Sequence, residues 1–271
     1  MTRYSACIEW LFADADSLPP LPGTPEAALM GGSATSFPDR IRAAKAAGMA
    51  AVEFWHWSNK DLVAVKTALD DTGLPLSGIL CEPISRITDP AQHAVFLDGV
   101  RASLAAARKL GAAVLIAQAG DDRPGIPREA QHAALVKVFR EAARLLEGSG
   151  VVIAIEPLND RVDHPGYYLT STVEGLDIVD EVDRPEVRLL YDIYHSAMMG
   201  EHTEDVLDGR VDRIAHVHLA DTQGRGQPGS GTMDWAARID WLESHGYGGF
   251  IGLEYRPTIG TLNSLGFRHR G

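Results

Sequence analysis

The chain has 271 residues, of which 45% are hydrophobic and 23% charged. That balance suits a globular fold and excludes long disorder, a collagen-like repeat or a coiled coil. With 37 acidic residues against 25 basic ones, the formal charge is −12. Binding to a phosphate backbone depends on Lys and Arg, so nucleic acid is not expected as a partner. Two cysteines, Cys7 and Cys81, are too few for a disulfide scaffold or a Cys-rich zinc module. No apolar run approaches the ~20 residues of a membrane span, and Glu9 interrupts the apolar N-terminal stretch early, unlike a signal peptide. The expectation is a cytoplasmic protein with two reduced thiols and no membrane contact.

One phrase recurs along the chain: a helical run, a glycine, then a short apolar strand. After an opening strand around 5–11, Gly48 precedes residues 50–55, Gly73 precedes 74–80 and Gly111 precedes 113–118. Gly150 precedes 151–156, further strands are expected at 187–191 and 213–219, and Gly246 precedes 250–254. Glycine after the last helical turn takes the left-handed cap, and an unbroken apolar run suits a strand covered on both faces. Helix starts are expected at Ser58 with Asp61 three residues on, at Asp89-Pro90, with Pro127 as a first helical residue, and at the Ser171–Glu174 capping pair. Strands alternating with helices imply parallel pairing through right-handed crossovers. Eight such units in about 250 residues give an α/β chain forming a single (β/α)8 TIM barrel. Residues 1–271 are read as one domain, its active site at the C-terminal ends of the strands. Residues 14–36, with four prolines and Gly31-Gly32, are too long for an ordinary βα turn and are expected to cover the barrel mouth as a loop or lid.

Four consecutive strands end in a metal-ligating residue: Ile155-Glu156, Tyr191-Asp192, Val217-His218 and Leu253-Glu254. Strand alternation puts Val152, Ala154 and Glu156 on one face and Val151, Ile153 and Ile155 on the other. Gly252 and Glu254 alternate with Ile251 and Leu253 in the same sense. The smaller-residue face suits a barrel interior, so the four ligands can converge. Three carboxylates and one imidazole suit Mn²⁺ or Mg²⁺, with Co²⁺ and Zn²⁺ also compatible. Without a cation, three clustered carboxylates would repel and at least one would take up a proton.

These motifs resemble the hydroxypyruvate isomerase family, within the xylose-isomerase-like barrels of sugar isomerases and epimerases. The resemblance rests on Ile155-Glu156-Pro157-Leu158-Asn159, Gly166-Tyr167-Tyr168-Leu169, Tyr191-Asp192-Ile193-Tyr194-His195 and His216-Val217-His218-Leu219-Ala220-Asp221. Pro228-Gly229-Ser230-Gly231 and Gly252-Leu253-Glu254-Tyr255-Arg256-Pro257 extend it, and Ala51-Val52-Glu53-Phe54 looks like the family's second strand. It implies metal ligation by Glu156, Asp192, His218 and Glu254, with the two glutamates as a catalytic acid/base pair. The implied activity is a metal-assisted isomerisation of hydroxypyruvate to tartronate semialdehyde through an enediolate. A ketose 3-epimerase or an inosose-type dehydratase on the same site is the alternative, and the histidine at 218 is similar to the ketose epimerases. A non-enzymatic binding protein on a barrel scaffold is the rival of a different class.

Three further residues are candidates for substrate contact. His195 resembles a substrate-binding histidine of these barrels. Arg225, in the Gly-rich stretch 224–229, can hold an anion by two parallel bonds, and that stretch is read as a flexible loop over the substrate. It formally matches a dinucleotide fingerprint but follows the seventh strand without a Rossmann context, so no nucleotide is expected. His56, after the second strand, can bind a hydroxyl or simply pack. Trp10, Trp55 and Trp57 are candidate pocket walls. His216, one layer below His218, is expected to support it or to pack in the core rather than to ligate. The partner is a small oxo-acid or sugar, and a homo-oligomer is left open.

Overall fold

The computed structural model describes residues 2–13 and 35–269. The recurring glycine does what the sequence leads one to expect: Gly73 and Gly111 take φ of 66° and 80°, and their N–H groups close the preceding helices on Leu69 and Ala107. A residue with a Cβ is strained in that region, so the helix stops there and a strand begins. The strands are β1 (Arg3–Cys7), β2 (Ala51–Glu53), β3 (Gly78–Leu80), β4 (Val114–Ala117), β5 (Val152–Ile155), β6 (Val187–Asp192), β7 (Ile214–Leu219) and β8 (Phe250–Leu253). Every neighbouring pair is parallel, in the order β2-β1-β8-β7-β6-β5-β4-β3. A bridge between Val52 and Leu76 joins the two ends, with Leu80 N–H donating to Trp55 O at 3.0 Å. Eight parallel strands thus form a TIM barrel.

Helices α1 (Phe37–Ala46), α2 (Leu62–Thr72), α3 (His93–Leu110), α4 (Arg128–Leu146) and α5 (Thr172–Val182) cover the barrel, followed by the short α6 (Ile193–Met199) and α7 (Thr203–Leu207), then α8 (Trp235–Ser244) and α9 (Thr261–Ser264). Phe96, Val100, Leu104 and Ala107 bury one stripe of α3 at helical spacing, and Phe96 meets Phe139 of α4 edge-on at 5.8 Å. Among the described residues no helix is long and apolar enough to cross a membrane. Both cysteines are buried free thiols.

Two expected helix starts move. Asp61, not Ser58, caps α2, accepting from Val63 N and Ala64 N, because the Ser58 N–H and hydroxyl both donate to Glu82. Pro127 sits one residue earlier than expected, at the cap of α4 rather than inside it. Ser171 caps α5 as expected, but Glu174 does not reciprocate; its carboxylate takes the Tyr168 hydroxyl at 2.7 Å. Most of the stretch expected as a lid, 14–34, lies outside the described residues.

The barrel interior has two halves. Leu80, Val114, Ile116, Ala154 and Leu190 form a small core of their own, while the alternate residues Leu115, Ile153, Ile155 and Leu189 belong to the larger core facing the helices. The other half is polar: Ser5, Glu53, Ser77, His216 and His218 are all nearly inaccessible. Most buried polar atoms in folded proteins are paired, and the pairing here leads upward to the site.

Candidate metal centre and active site

Glu156 follows β5 and Glu254 follows β8; their N–H groups continue the ladders onto Ala117 O and Leu219 O. Asp192 ends β6 and caps α6, accepting from His195 N at 3.0 Å. His218 lies opposite Asp192 in the β6–β7 register and opposite Gly252 in the β7–β8 register. One donor atom from each of Glu156, Asp192, His218 and Glu254 lies within 4.8 Å of all the others. His218 Nδ1 is 3.2 Å from Glu156 Oε1, 3.4 Å from Glu254 Oε2 and 3.9 Å from Asp192 Oδ2. The alternation read from the sequence therefore brings all four to one point.

Their electrostatics follow from burial and crowding. Burial lifts the Asp192 carboxyl above its ordinary range, with the Glu254 charge adding to the effect against Arg225 and His218. Burial acts on Glu254 too, but Arg225 and His218 overcome it and hold that carboxyl well below the usual range. His218 goes the opposite way from a lone buried imidazole: burial would depress it, yet the Glu254 and Glu53 charges raise it well above its ordinary value. A buried cluster of three carboxylates thus draws positive charge from every available source. That donor set, hard oxygens plus one imidazole, fits a divalent cation.

Below the cluster lies Glu53, the last residue of β2. Its Oε2 is 2.7 Å from His216 Nε2 and accepts from Ser77 Oγ at 2.9 Å, and Ser77 in turn meets Ser5 at 2.7 Å. Its Oε1 faces His218 Nε2 at 3.3 Å. Burial would raise Glu53, but His216 and His218 hold it at about 2. His218 thus turns Nδ1 to the four-residue cluster and Nε2 to a carboxylate, the arrangement by which metal-binding histidines are oriented.

Glycine at 252 makes this possible. A Cβ there would come within 2.4 Å of Glu53 Oε1 and 2.7 Å of His218 Cδ2. Since the Glu53 carboxylate is already tied on its other side, Gly252→Ala is expected to cost about 1–3 kcal/mol by overpacking. A melting temperature unchanged from wild type would show that the pocket yields.

Above the cluster a cavity of about 360 Å³ reaches Glu156, His218 and Glu254, with Trp10, Trp55, Leu80 and Ile116 in its apolar lining. Trp10 and Trp55 meet edge-on at 4.8 Å, and Trp55 Nε1 donates to Glu254 Oε1 at 2.6 Å.

The family described as xylose isomerase-like TIM barrel matches residues 41–266. The chain is 34% identical to hydroxypyruvate isomerase of Escherichia coli (strain K12) over 176 residues, 65% of this chain and 68% of that one. It is 33% identical to a putative hydroxypyruvate isomerase of Streptomyces coelicolor over 240 residues, 81% of this chain and 85% of that one. The chain belongs to the hydroxypyruvate isomerase family of xylose isomerase-like TIM barrels. It is an enzyme of the isomerase class. A solved structure from Brucella melitensis, described as an AP endonuclease of family 2, is similar over 98% of each chain with a TM-score of 0.84 and 26% identity.

Within this isomerase-family barrel, the remaining expected residues take different positions. His56 lines the cavity, held by Glu82 Oε1 at 2.5 Å from its Nδ1. His195 is not among the lining residues. Its Nδ1 accepts from Asn159 N at 3.1 Å, its buried Nε2 has no hydrogen-bond partner among the described residues and lies 3.7 Å from Asp192 Oδ2, and burial together with Arg225 lowers it to about 3. Arg225 lines the cavity but pairs with Glu254 and lies 3.7 Å from Asp192 Oδ2, so its charge is committed to the carboxylates of the cluster. Its loop is not loose: the Asp221 carboxylate accepts from Thr222 N and Gly229 N, both at 2.8 Å. Trp57 turns away to Ser103 at 3.1 Å and does not wall this cavity. His216 reaches Glu53 Oε2 rather than the four-residue cluster. Sequence reasoning passed over Glu53 and Glu82; the available signal was an acid inside or just after an otherwise apolar strand.

Proposed function

We propose that this chain is a divalent-metal-dependent isomerase of a small hydroxy-oxo-acid, of the hydroxypyruvate to tartronate semialdehyde type. The observation that supports it most is the pair Glu156 and Glu254, two buried carboxylates that line one cavity and both lie within 3.4 Å of His218 Nδ1. Mn²⁺ or Mg²⁺, with Co²⁺ or Zn²⁺ also suited to Glu156, Asp192, His218 and Glu254, would supply Lewis-acid stabilisation of charge developing on the substrate oxygens.

The chain's own residues account for the proton transfers. One glutamate takes a proton from the hydroxyl-bearing carbon next to the carbonyl, leaving an enediolate. The other delivers a proton to the former carbonyl carbon, and the hydroxyl proton passes to the new hydroxyl oxygen, so that the ketone becomes an alcohol and the terminal alcohol an aldehyde. Trp55 and Arg225 fix Glu254 through both of its oxygens, whereas Glu156 is bonded through Oε1 alone. His56 and Arg225, which line the cavity, are the proposed contacts to substrate oxygens, and His195, whose Nε2 lies 3.7 Å from Asp192 Oδ2, is proposed to act through that carboxylate. The apolar lining keeps water from the enediolate. Two buried free thiols suit a cytoplasmic setting.

Chelation is expected to abolish turnover of hydroxypyruvate, and added Mn²⁺, Mg²⁺ or Co²⁺ to restore it, with the product identified by NMR. Full activity in metal-free protein would overturn this reading. Turnover of tetruloses, pentuloses, hexuloses or inosose with no turnover of any oxo-acid would keep the site and replace the substrate.

A further inference from the structure

A carboxylate-bearing substrate needs a cation in a cavity whose floor is crowded with carboxylates. Arg225, the cation expected for that task, is taken up by Glu254 and Asp192. A second arginine lines the same cavity: Arg256, two residues beyond Glu254. Its N–H donates to Arg225 O at 2.9 Å, which sets the two arginines side by side. Both guanidinium groups lie against the Trp10 ring, Arg225 at 5.1 Å and Arg256 at 5.0 Å from its centroid.

The two differ in what else they touch. The Arg225 side chain is 11% exposed and its charge is balanced from below. Arg256 is exposed, and among the described residues no carboxylate lies within ion-pair distance of it. Of the two arginines that line the cavity, Arg225 is therefore the one balanced by carboxylates and Arg256 the one that is not. Contact with the Trp10 face steadies the guanidinium through its π-surface and leaves its N–H groups free for two parallel bonds to an anion.

We propose that Arg256, steadied by Trp10, is the residue that reads the substrate's carboxylate and so restricts this site to oxo-acids. This rests on the isomerase reading above and names its substrate class. The polar floor takes the carbonyl and hydroxyl oxygens, where the reacting carbons must lie beside Glu156 and Glu254. With those carbons placed there, the carboxylate at the other end of the substrate points to the cavity wall, where it finds the unbalanced charge of Arg256. Arg256 touches no metal ligand, so its removal leaves the reacting centre intact.

Dihydroxyacetone is hydroxypyruvate with its carboxylate replaced by a hydroxymethyl group, which makes it the matched neutral probe. Calorimetric binding of both compounds to the metal-loaded protein is compared for wild type, Arg256→Gln and Arg256→Lys. Wild type is expected to prefer hydroxypyruvate. Arg256→Gln is expected to weaken hydroxypyruvate by about ten- to hundredfold, the size of a lost charge-assisted contact, and to change dihydroxyacetone by less than about twofold. Arg256→Lys keeps the charge without the fork and should fall between the two. Added guanidinium should restore part of the affinity lost in Arg256→Gln. Equal binding of the two compounds by wild type, or an equal loss of both in Arg256→Gln, overturns the proposal whatever the enzyme turns over. Failure of the isomerase reading shows separately, as wild type that binds hydroxypyruvate selectively yet converts no oxo-acid.

Discussion

Glu156→Gln and Glu254→Gln are each expected to lose at least about 10²–10⁴ in turnover while keeping the wild-type fold. Glutamine preserves the size of each side chain and one oxygen for ligation, but it neither accepts nor delivers a proton in the working range. General acid–base groups contribute about that factor in rate, and a weakened ligand adds to the loss. The two variants should differ in detail. Glu254 is bonded through both oxygens, to Trp55 and Arg225, and its charge balances Arg225, so Glu254→Gln leaves a buried guanidinium facing Asp192 alone. Glu156 is bonded through Oε1 to His218 only, and Glu156→Gln disturbs less around it. The deciding measurement is deuterium exchange from solvent into the substrate carbon next to the carbonyl, made at saturating metal. The variant of the abstracting glutamate loses exchange, while its partner's variant keeps exchange and forms no product. Exchange and turnover both near wild type in either variant would end the two-glutamate mechanism.

The barrel was legible because its signals are local. An apolar run between a helix-capping glycine and a polar residue has the same meaning wherever the chain carries it, so seven strands sit where the sequence puts them, most of them shortened, while the first, which no glycine precedes, lies at Arg3–Cys7 rather than around 5–11. The four-residue cluster was legible for a related reason: period-two alternation fixes which side of each strand a residue occupies, and parallel neighbours in one closed sheet bring equivalent strand ends together. Capping was legible in kind but not in position. Ser58 and Asp61 are both able caps, and the choice was made by Glu82, which takes the Ser58 N–H from across the fold.

What the sequence did not show is pairing across the barrel. Glu53 and His216 are 163 residues apart, and nothing in either neighbourhood names the other. Trp55 and Trp57 look equivalent on paper, yet one donates to Glu254 and the other to Ser103, because residues two apart stop sharing a face once the strand has ended. Arg225 illustrates the same limit. A lone arginine among glycines reads as a free anion contact, and only the fold shows that Glu254 takes up its charge. Arg256 reads as an ordinary residue of a family motif, and only the cavity shows that it is the unpaired one.

Glu53→Gln is expected to weaken divalent metal binding by about ten- to hundredfold without touching any of the four proposed ligands. The reason lies in the geometry beneath His218, whose Nε2 faces Glu53 Oε1 at 3.3 Å while Nδ1 faces the cluster. A carboxylate there favours the tautomer with hydrogen on Nε2, leaves the Nδ1 lone pair free, and makes the ring a stronger donor; losing such a partner typically costs that factor in affinity. The amide keeps an oxygen for His216 or Ser77 but offers no charge. Any orientation that turns its NH₂ toward His218 sets donor against donor. Glu53→Ala is the poorer experiment, since it strips a buried imidazole of its partner and such losses cost about 3–5 kcal/mol, enough to endanger folding. Calorimetric titration of metal into Glu53→Gln, with thermal unfolding to confirm the fold, reads the effect independently of turnover. A paired Gly252→Ala measurement approaches the same contact sterically, and both variants should lose affinity together. Metal affinity within about twofold of wild type in a folded Glu53→Gln protein would mean that His218 holds its orientation without the carboxylate below it.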